Sequence, residues 1–484
     1  MLLTIIFLSL FAVLFLLERK RRAISHEFRH IPGIAEEYPV IGNLFALRKL
    51  DPNDFKHLLD VLCPQPICKV TGFGSVMFTV SDASCCQKIL LSPKFHLRDA
   101  TIRFLEMEAA LFTSKYENWK LIRKPLNLAF SKQCILSMLP TMNRHVDELC
   151  RKIEQFTEKK EAFDIYNVLA HFEIDEICET ILKSDYRCDQ NLVDMLQSST
   201  DNIGKRVFNP IYHPEFIYRH SSVGRVIRGA HAMGTKIFKP MIMKSIDDTI
   251  NGNKRDDTKY TVMGQLLSIG QDGGRKLTYE EIEDNVKTFI TAGFETQAHA
   301  IGYTLLMLAL HPEVEKKVYQ EICEFYSNDT EIDAEKVRQM EYLDMVVNET
   351  LRLYPVAPLN LRTAMEDTYI DDVGLIPKGT TMFIAMYKLH RNPTIWGPNA
   401  EKFDPENFSA DKMKDRPPFS YLPFGGGARN CIGLHYAHYN LRITLVKLLA
   451  KFKFTTDLKF EDISFKYGIS LKLSSGYMLK VRHR

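Results

Sequence analysis

Apolar side chains form an almost unbroken run at the start of the chain. From Leu2 to Leu17 only two polar residues interrupt the run, and a basic stretch at residues 19–22 follows at once. The run is shorter than the roughly 20 residues that usually cross a bilayer, although a thin membrane and arginines that reach its surface relax that need. The pattern predicts a membrane anchor with a basic stop at residues 1–22, and the stop lies on the cytoplasmic side.

Two other interpretations of this segment are a cleaved signal peptide and a mitochondrial presequence. A signal peptide carries its positive charge before the apolar run and ends in a small-residue cleavage site, and a mitochondrial presequence is amphipathic and rich in arginine. Here the charge follows the run, and the segment is simply apolar. The pattern therefore favours a protein of the endoplasmic reticulum membrane whose remaining chain faces the cytoplasm.

Prolines and glycines break the pattern next. The stretch IPGIAEEYPVIGN, residues 31–43, contains two prolines and two glycines, which deny the backbone a helix and favour a rigid extended turn. We expect a hinge at residues 23–43 between the anchor and a single large domain at residues 44–484, because no low-complexity linker divides the rest of the chain.

Helical periodicity dominates from Asp82 to about Tyr354, and the last part of the chain mixes short strands and loops. This order is typical of an α+β fold that is mainly α. The clearest helix follows Thr278, whose hydroxyl can cap it while Glu281 returns the hydrogen bond. It should run to Pro312, roughly 32 residues or about 48 Å, which is long enough to cross a whole domain.

The centre of this long helix departs from its apolar pattern. The sequence AGFET, residues 292–296, brings a glycine and two polar residues into a segment that is otherwise apolar. Gly293 costs helix stability, and Glu295 and Thr296 cost free energy if they are buried without partners. Such local departures are expected at functional sites, so we predict one here, with a kink at Gly293.

Composition narrows the class of protein. Of the 484 residues 45% are hydrophobic and 25% charged, as in a folded globular protein. The formal net charge is only +3, and basic residues are not interleaved with aromatic ones, which argues against nucleic-acid binding. The ten cysteines show no CxxC pair, so we expect neither a zinc site nor a disulfide framework.

One cysteine stands in a special setting. It lies in FGGGARNCIG, residues 424–433, and the sequence after Gly433 has helical periodicity. Glycines permit a tight loop that presents Cys431 just before the helix begins. The free N–H groups of a helix amino terminus stabilise a thiolate, so Cys431 is the candidate reactive group of the chain.

This segment resembles the haem-binding signature of the cytochrome P450 family. The fixed positions of that signature are Phe, Gly, Arg, Cys and Gly, and they are matched by Phe424, Gly427, Arg429, Cys431 and Gly433. The resemblance extends over essentially the whole chain. It is strongest to microsomal animal members, insect ones in particular, in the clan of the fatty-acid omega-hydroxylases, through RVFNPIYHPEFIYRHSSVGR, FDPENF and GGGARNCIG. It implies a fold with a long central helix, small β-sheets, and haem between that helix and the cysteine loop.

The resemblance also implies how the haem is held. Cys431 would be the axial thiolate ligand of the iron in haem b, and Phe424 would lie beside it. Trp119 and Arg123 match the family's WxxxR motif. These two residues, with Arg362 and Arg429, would bind the propionates. Some relatives esterify haem through a glutamate before the central glycine, where this chain has Ala292, so we expect haem that is not covalently attached.

A structural lock behind the haem is implied by a second motif. Glu349 and Arg352 match the family's ExxR and can pair on one helix face. The family commonly completes this pair with an arginine from a later segment, PERF. Here that segment is PENF, and Asn407 can form hydrogen bonds but carries no charge.

The implied reaction is a monooxygenation: one atom of O2 enters an organic substrate and the other leaves as water. Glu295 and Thr296 match the acid and alcohol that deliver protons to dioxygen in the family. The implied partners are NADPH cytochrome P450 reductase, with cytochrome b5 as a further electron donor. Lys115, Lys120 and Lys124, around the WxxxR motif, could steer an acidic reductase surface.

The substrate-facing positions implied by the resemblance are all apolar and therefore suggest a lipophilic substrate; they are Ile290, Phe294, Val356, Ala357 and Leu359. Fatty acids, terpenoids, steroids and insecticides remain open as its class. Two alternative functions are a haem-thiolate isomerase that uses neither O2 nor a reductase, and a haem-binding protein without turnover. Retention of Glu295 and Thr296 favours the monooxygenase.

Overall fold

The computed structural model describes residues 2–47, 50–98, 100–159, 161–250, 260–271, 273–327 and 330–484. The fold is α+β and mainly α, as predicted. The helices of these ranges are α1 Leu2–Glu27, α2 Leu44–Leu47, α3 Phe55–Leu62, α4 Ala83–Leu91, α5 Tyr116–Ala129, α6 Lys132–Glu154, α7 Ile165–Thr180, α8 Gln190–Phe208, α9 Glu215–His220, α10 Ser222–Ile250, α11 Val262–Ser268, α12 Tyr279–Leu310, α13 Pro312–Phe325, α14 Ala334–Gln339, α15 Glu341–Leu353, α16 Met386–Leu389, α17 Pro393–Trp396, α18 Ala410–Lys414 and α19 Leu434–Lys451.

The strands are short and form small sheets. They are β1 Ile67–Gly72, β2 Ser75–Val80, β3 Phe163–Asp164, β4 Leu359–Thr363, β5 Thr368–Ile370, β6 Gly374–Ile376, β7 Thr381–Ala385, β8 Phe452–Thr455, β9 Phe465–Tyr467, β10 Leu471–Leu473 and β11 Met478–His483. The largest sheet has the order β1-β2-β7-β4, with β2 and β7 parallel and the other pairs antiparallel. Sheets of order β3-β11-β8, β9-β10 and β5-β6 complete the set.

The long helix α12 begins and ends where the sequence indicates. Thr278 accepts a hydrogen bond from the Glu281 backbone N–H at 3.2 Å, and the Glu281 carboxylate accepts one from the Thr278 N–H at 2.8 Å. Pro312 is the first residue of α13. Almost every side chain from Phe294 to Leu308 is buried, because α12 packs against α7, α15 and α19. The helix therefore forms the centre of the core.

Gly293 has a packing role that the sequence did not indicate. Helix α12 continues through it without a break. A Cβ atom at this position would lie 2.5 Å from Ile177 Cδ1, so the glycine allows α7 to approach α12 closely. Close packing therefore accounts for the glycine, and the kink at Gly293 stays a prediction, because a continuous helix can also bend.

The amino-terminal segment is a single helix that passes through the basic stretch and ends at Glu27. Part of the expected hinge at residues 23–43 is thus helical, since no proline interrupts the chain before Pro32. After the helix, Asn43 ties the segment to β1: its Nδ2 donates to the Ala35 carbonyl at 2.9 Å, and its Oδ1 accepts from the Thr71 N–H at 2.8 Å. Among the residues that the structure describes, we find no helix with the length and hydrophobicity needed to span a bilayer.

Candidate active site

The cysteine loop is held by its own backbone. The Cys431 N–H donates to the Phe424 carbonyl at 3.0 Å, and the Asn430 N–H donates to the Gly427 carbonyl at 3.1 Å. Gly427 has a φ of +70°, and a Cβ atom there would lie 1.8 Å from the Leu90 carbonyl oxygen. Only glycine fits this position, because the loop packs directly on the end of α4. As predicted, a helix, α19, begins just after Gly433.

The Cys431 side chain lies in a cleft, where protein surrounds it and yet leaves it open. It is accessible, and yet burial raises the pKa of its thiol above the ordinary value. The Gly433 backbone N–H and the charges of Arg123 and Arg98 act in the opposite direction. Donors of this kind favour a thiolate, which is the form of cysteine that binds metals.

The middle of α12 lies close to this loop. A Cβ atom at Gly433 would be 3.9 Å from both Cys431 Sγ and a ring carbon of Phe130. Phe130 in turn stacks on Phe289 of α12 with ring centroids 5.6 Å apart. Further along α12, Gln297 Nε2 donates to the Ala437 carbonyl of α19 at 3.4 Å. The two predicted parts of the site, the long helix and the cysteine loop, are therefore neighbours.

Thr296 and Glu295 make different contacts. The Thr296 hydroxyl donates to the Ala292 carbonyl at 2.7 Å, and its side chain remains partly accessible. Because that hydroxyl has one hydrogen to donate, it can still accept a hydrogen bond from water. The Glu295 carboxylate is buried and pairs with Lys472 Nζ at 2.9 Å. It also accepts from the Thr200 hydroxyl at 3.0 Å.

A group of arginines borders the cleft. We call Arg98, Arg123, Arg362 and Arg429 the arginine cluster. Burial is the main cause that lowers the pKa of Arg98, and the charges of the other three arginines lower it further. The Arg429 guanidinium lies 4.3 Å from the centre of the Trp119 ring. Burial lowers the pKa of Arg362 to about 10. Burial, with Arg362 and Arg123, lowers that of Arg429 to about 9.

Among the residues that the structure describes, no acidic side chain pairs with the arginine cluster. Within the described parts of the chain, Arg98 Nε, Arg362 Nη2, and Arg429 Nε and Nη1 are buried and have no hydrogen-bond acceptor. Buried cations that repel one another and have free N–H groups are stabilised by an anion, and guanidinium suits carboxylates best. The residues present thus fit the two propionates of a haem, with Cys431 as the residue that would ligate its iron.

The ExxR pair is completely buried. Arg352 donates to both carboxylate oxygens of Glu349, at 2.6 and 2.8 Å. Its remaining N–H groups donate to the carbonyls of His390 at 2.8 Å, Ala400 at 2.6 Å and Lys402 at 3.1 Å. One guanidinium thereby ties α15 to the segments that precede the cysteine loop, with each N–H satisfied as burial requires.

Asn407 takes part in this arrangement. Its Nδ2 donates to Glu349 Oε1 at 3.1 Å. The Arg416 guanidinium donates to the Asn407 carbonyl and lies 4.0 Å from the centre of the Trp396 ring. The Arg352 guanidinium lies 4.9 Å from the centre of the same ring. A cation is therefore present beside the pair, although it comes from a position nine residues after Asn407.

The predicted substrate-facing residues separate into two groups. Ile290 and Phe294 are fully buried in the hydrophobic core, and Val356 is nearly so. Ala357 is exposed and Leu359 partly exposed. On α12 the accessible side chains around the site belong to Phe289, Ala292 and Thr296 instead, so the accessible face of α12 is turned relative to the predicted one.

Sequence reasoning missed three residues of the site. Arg98 belongs to the arginine cluster, Lys472 pairs with Glu295, and Arg416 reaches Asn407. Each is a single charged residue that no motif links to its partners. The only signal in the sequence was that Lys472 alternates with Leu471 and Leu473, which are buried, in a strand where a cation would need a partner.

Comparison with known proteins matches the chain to one family. The family model described as Cytochrome P450 covers residues 32–481. The chain is 28% identical over 462 residues to the protein named probable cytochrome P450 313a4 of Drosophila melanogaster, covering 92% of each. It is also 28% identical to human cytochrome P450 4V2, covering 95% of this chain and 90% of the relative. Identity to cytochrome P450 3A31 of Mesocricetus auratus is 28% over 87% of this chain and 85% of the relative.

Proposed function

Since the chain belongs to the cytochrome P450 family and is a monooxygenase of that family, we propose that it oxidises a lipophilic substrate with electrons from NADPH. NADPH cytochrome P450 reductase would deliver the electrons, with cytochrome b5 as an additional donor. When bound, the haem supplies the oxygen-activating centre, because its thiolate ligand favours O–O cleavage. The observation that carries the proposal is the position of the Cys431 loop beside the accessible centre of α12.

In this proposal each residue has a defined task. Cys431 Sγ binds the iron, and the arginine cluster with Trp119 holds the propionates. Phe424 packs on the His438 ring with centroids 5.1 Å apart, which keeps the loop against α19. The Glu349 and Arg352 pair, with Asn407, fixes the chain behind the loop. These tasks are positional, and they require no movement during the reaction.

Thr296 would take part in proton delivery. Its donor hydrogen is engaged by the Ala292 carbonyl, so its oxygen acts as an acceptor that orders a water molecule in the cleft. An ordered water can pass a proton along hydrogen bonds to dioxygen. Glu295, one residue earlier, would supply protons to this water when its carboxyl is protonated.

We also propose that the protein is attached to a membrane, which would bring a lipophilic substrate close to the site. The first half of α1 exposes large apolar side chains, among them Phe7, Phe11 and Phe15, each at least 60% exposed. Such a surface is unfavourable in water and suits the interior of a bilayer. The segment would hold the domain 44–484 at the cytoplasmic face of the endoplasmic reticulum. The apolar positions Ala357 and Leu359 would meet a substrate that arrives from the lipid.

The experiment compares two threonines of α12. Thr296→Val and Thr304→Val remove the same group, because the Thr304 hydroxyl also donates to the carbonyl four residues before it, that of Ala300 at 2.8 Å. With reductase, NADPH and a substrate found by spectral titration, Thr296→Val should lower the ratio of product to NADPH and release peroxide. Thr304 is buried, so Thr304→Val should leave the ratio of product to NADPH unchanged.

Four results would contradict the proposal. An unchanged ratio in Thr296→Val removes the task given to this residue. Cys431→Ala should abolish the red-shifted Soret band of the reduced, CO-treated protein, and its survival would refute thiolate ligation. NADPH consumption that does not respond to any ligand would favour a haem-binding protein without turnover, and conversion without NADPH would favour an isomerase.

A further inference from the structure

Tyr477 and His299 form a buried, hydrogen-bonded pair in the core. The Tyr477 hydroxyl lies 2.7 Å from His299 Nδ1, and each of the two residues is only 2% exposed. Tyr477 stands directly before β11, and His299 belongs to α12. A phenol that is bonded to an imidazole can lose an electron and a proton together, because the imidazole is a base that takes the proton.

This pair continues the line of α12 side chains that opens into the cleft. The accessible side chains of that line are Phe289, Ala292 and Thr296. Residues three or four apart share a helix face, so His299 and Tyr303 are the next members of the same line, and both are buried. The structure thus places the imidazole about one helical turn beyond Thr296.

The hydrogen bond runs from the phenol to the imidazole. Burial and the charges of Lys472 and Lys466 lower the pKa of His299 far below its ordinary value, so the ring is neutral and carries one hydrogen. Among the described residues its Nε2 has no hydrogen-bond partner, and it lies 3.9 Å from Glu295 Oε1. A nearby carboxylate favours the hydrogen at Nε2, which leaves Nδ1 to accept from the Tyr477 hydroxyl.

Aromatic rings enclose the pair. The centre of the Tyr477 ring lies 5.0 Å from that of Tyr303 and 6.1 Å from that of Tyr166. The His299 ring lies 4.5 Å from the Tyr166 ring, and Tyr303 stacks on Tyr354 at 5.2 Å. This packing keeps water and substrate away from the phenol, so a reactive species that forms there is protected from side reactions.

Burial also determines how Tyr477 can be oxidised. It raises the pKa of Tyr477 far above its ordinary value, so the phenol does not ionise before it loses an electron. Loss of an electron makes a phenol a much stronger acid, and even a weakly basic imidazole then takes its proton. The imidazolium that results has its Nε2–H beside the Glu295 carboxylate, which stabilises the new charge.

We propose that Tyr477 is a redox-active residue that protects the haem when peroxide oxidises it in the absence of substrate. One electron passes from Tyr477 to the oxidised haem, the phenol O–H bond breaks, and the proton forms an N–H bond at His299 Nδ1. The haem is reduced by one electron, Tyr477 becomes a neutral radical, and His299 becomes an imidazolium. This activity goes beyond the proposed function, since it needs haem and a peroxide but neither reductase, NADPH nor substrate.

The test is EPR spectroscopy of the haem-loaded ferric protein, frozen directly after hydrogen peroxide is added. Wild type should give a tyrosyl radical, and its spectrum should narrow when the protein is made with ring-deuterated tyrosine. Tyr477→Phe keeps the ring and removes only the hydroxyl, so the radical yield should fall several-fold. His299→Gln keeps a hydrogen-bond acceptor but removes the base, and it should also lower the yield several-fold.

Two other tyrosines provide matched controls. Tyr303→Phe removes the neighbouring hydroxyl, which donates to the Leu471 carbonyl at 3.0 Å and not to a base. Tyr116→Phe removes the hydroxyl of a ring that stacks on Trp119, with centroids 5.9 Å apart, beside the arginine cluster. Both variants should keep the wild-type radical. Under peroxide, the Soret band of Tyr477→Phe should bleach several-fold faster than that of either control.

Four outcomes would overturn the redox role of the pair. They are a spectrum that ring-deuterated tyrosine does not narrow, a radical yield that Tyr477→Phe leaves unchanged, a radical that disappears in Tyr116→Phe instead, and an unchanged yield in His299→Gln. If Tyr477→Phe does not bind haem, the labelled wild type and His299→Gln decide the same question.

The radical and the proposed function fail separately. Formation of product from NADPH without any tyrosyl radical under peroxide refutes the redox role of Tyr477 and leaves the monooxygenase standing. A radical on Tyr477 in a protein that forms no product with reductase and NADPH refutes the proposed function and leaves the redox role standing.

Discussion

Arg123 and Asn430 are joined by two hydrogen bonds: Arg123 Nη1 donates to the Asn430 carbonyl at 3.0 Å, and Nη2 donates to Asn430 Oδ1 at 2.9 Å. Asn430 directly precedes Cys431. Arg123 therefore binds helix α5 to the cysteine loop through hydrogen bonds from a charged donor. Any contact of Arg123 with a propionate would add to these bonds.

Arg123→Met should loosen the cysteine loop. It removes two hydrogen bonds to a charged donor, so we expect a loss of about 1.5–3 kcal/mol in unfolding free energy. A larger share of the reduced, CO-treated protein should also show the spectrum of lost thiolate ligation. Lys120→Met, on the exposed side of the same helix, is the control. Asn430→Ala keeps the bond to the carbonyl and should have a smaller effect, and an equal or larger effect would contradict this account.

Glu349→Gln should strongly destabilise the protein. The Arg352 charge is fully buried, and an uncompensated buried charge costs about 3–5 kcal/mol. Glu401→Gln is the control, because Glu401 pairs with Arg391 at 3.0 Å but is itself 67% exposed. That change should cost less than about 1 kcal/mol. Urea unfolding followed by the Soret band measures both, and similar midpoints for the two variants would count against the lock.

Glu176→Gln should change how stability depends on pH. Glu173 and Glu176 of α7 are fully buried beside Tyr436 and Asn440 of α19, and burial raises the pKa of both. The folded protein then keeps protons that the unfolded chain releases above its ordinary glutamate pKa. Wild-type stability should therefore fall as pH rises, by at most about 1.4 kcal/mol per pH unit for each proton.

Between pH 6 and pH 8, the urea midpoint of Glu176→Gln should rise relative to that of wild type. Glu281→Gln is the control, because the hydrogen bond from Arg275 lowers the pKa of Glu281. Glu281 is ionised in both folded and unfolded states over this range, so its variant should differ from wild type by a constant amount. Parallel pH profiles for wild type and Glu176→Gln would show that Glu176 does not retain its proton.

Charge reversal on α5 should slow reduction by NADPH cytochrome P450 reductase. Lys120 and Lys124 are exposed on the helix that reaches the cysteine loop, and clustered charge steers association at low salt. Lys120→Glu with Lys124→Glu should lower the rate several-fold, and added salt should lower the wild-type rate. Lys316→Glu with Lys317→Glu makes the same change on α13 and should have little effect. A wild-type reduction rate that does not depend on salt concentration would exclude electrostatic steering of the reductase by these lysines.

Haem should be extractable from the native protein by acidified organic solvent. Ala292 is exposed in the centre of α12 and has no carboxyl to form an ester, and the nearby Glu295 is engaged by Lys472. Mass spectrometry of the denatured chain should give the mass of the polypeptide alone. A mass increased by that of haem would contradict non-covalent attachment. Ala292→Glu supplies the missing carboxyl and should allow haem to become covalently attached.

The sequence predicted the features that neighbouring residues determine. The capping box of Thr278 and Glu281, the glycine loop before Cys431 and the ExxR pair lie within a few residues of one another, so local geometry determines them. Arg98, Lys472 and Arg416 were missed because their partners come from other elements of the fold. The direction of Glu295 was missed for the same reason: the periodicity of α12 places the residue on a face, but the strand that approaches that face is set by tertiary packing.

Asn407 and Arg416 together determine where the second cation beside Trp396 lies. In this chain the second cation beside Trp396 comes from position 416, and position 407 holds an uncharged amide that contacts the same guanidinium. An arginine introduced at 407 alone would compete with Arg416 for the same aromatic face, and loss of Arg416 alone would leave that face without its second cation. The two positions are therefore coupled: a charge at position 407 is best tolerated when Arg416 is replaced, and the absence of arginine at position 407 does not leave the aromatic ring without a second cation.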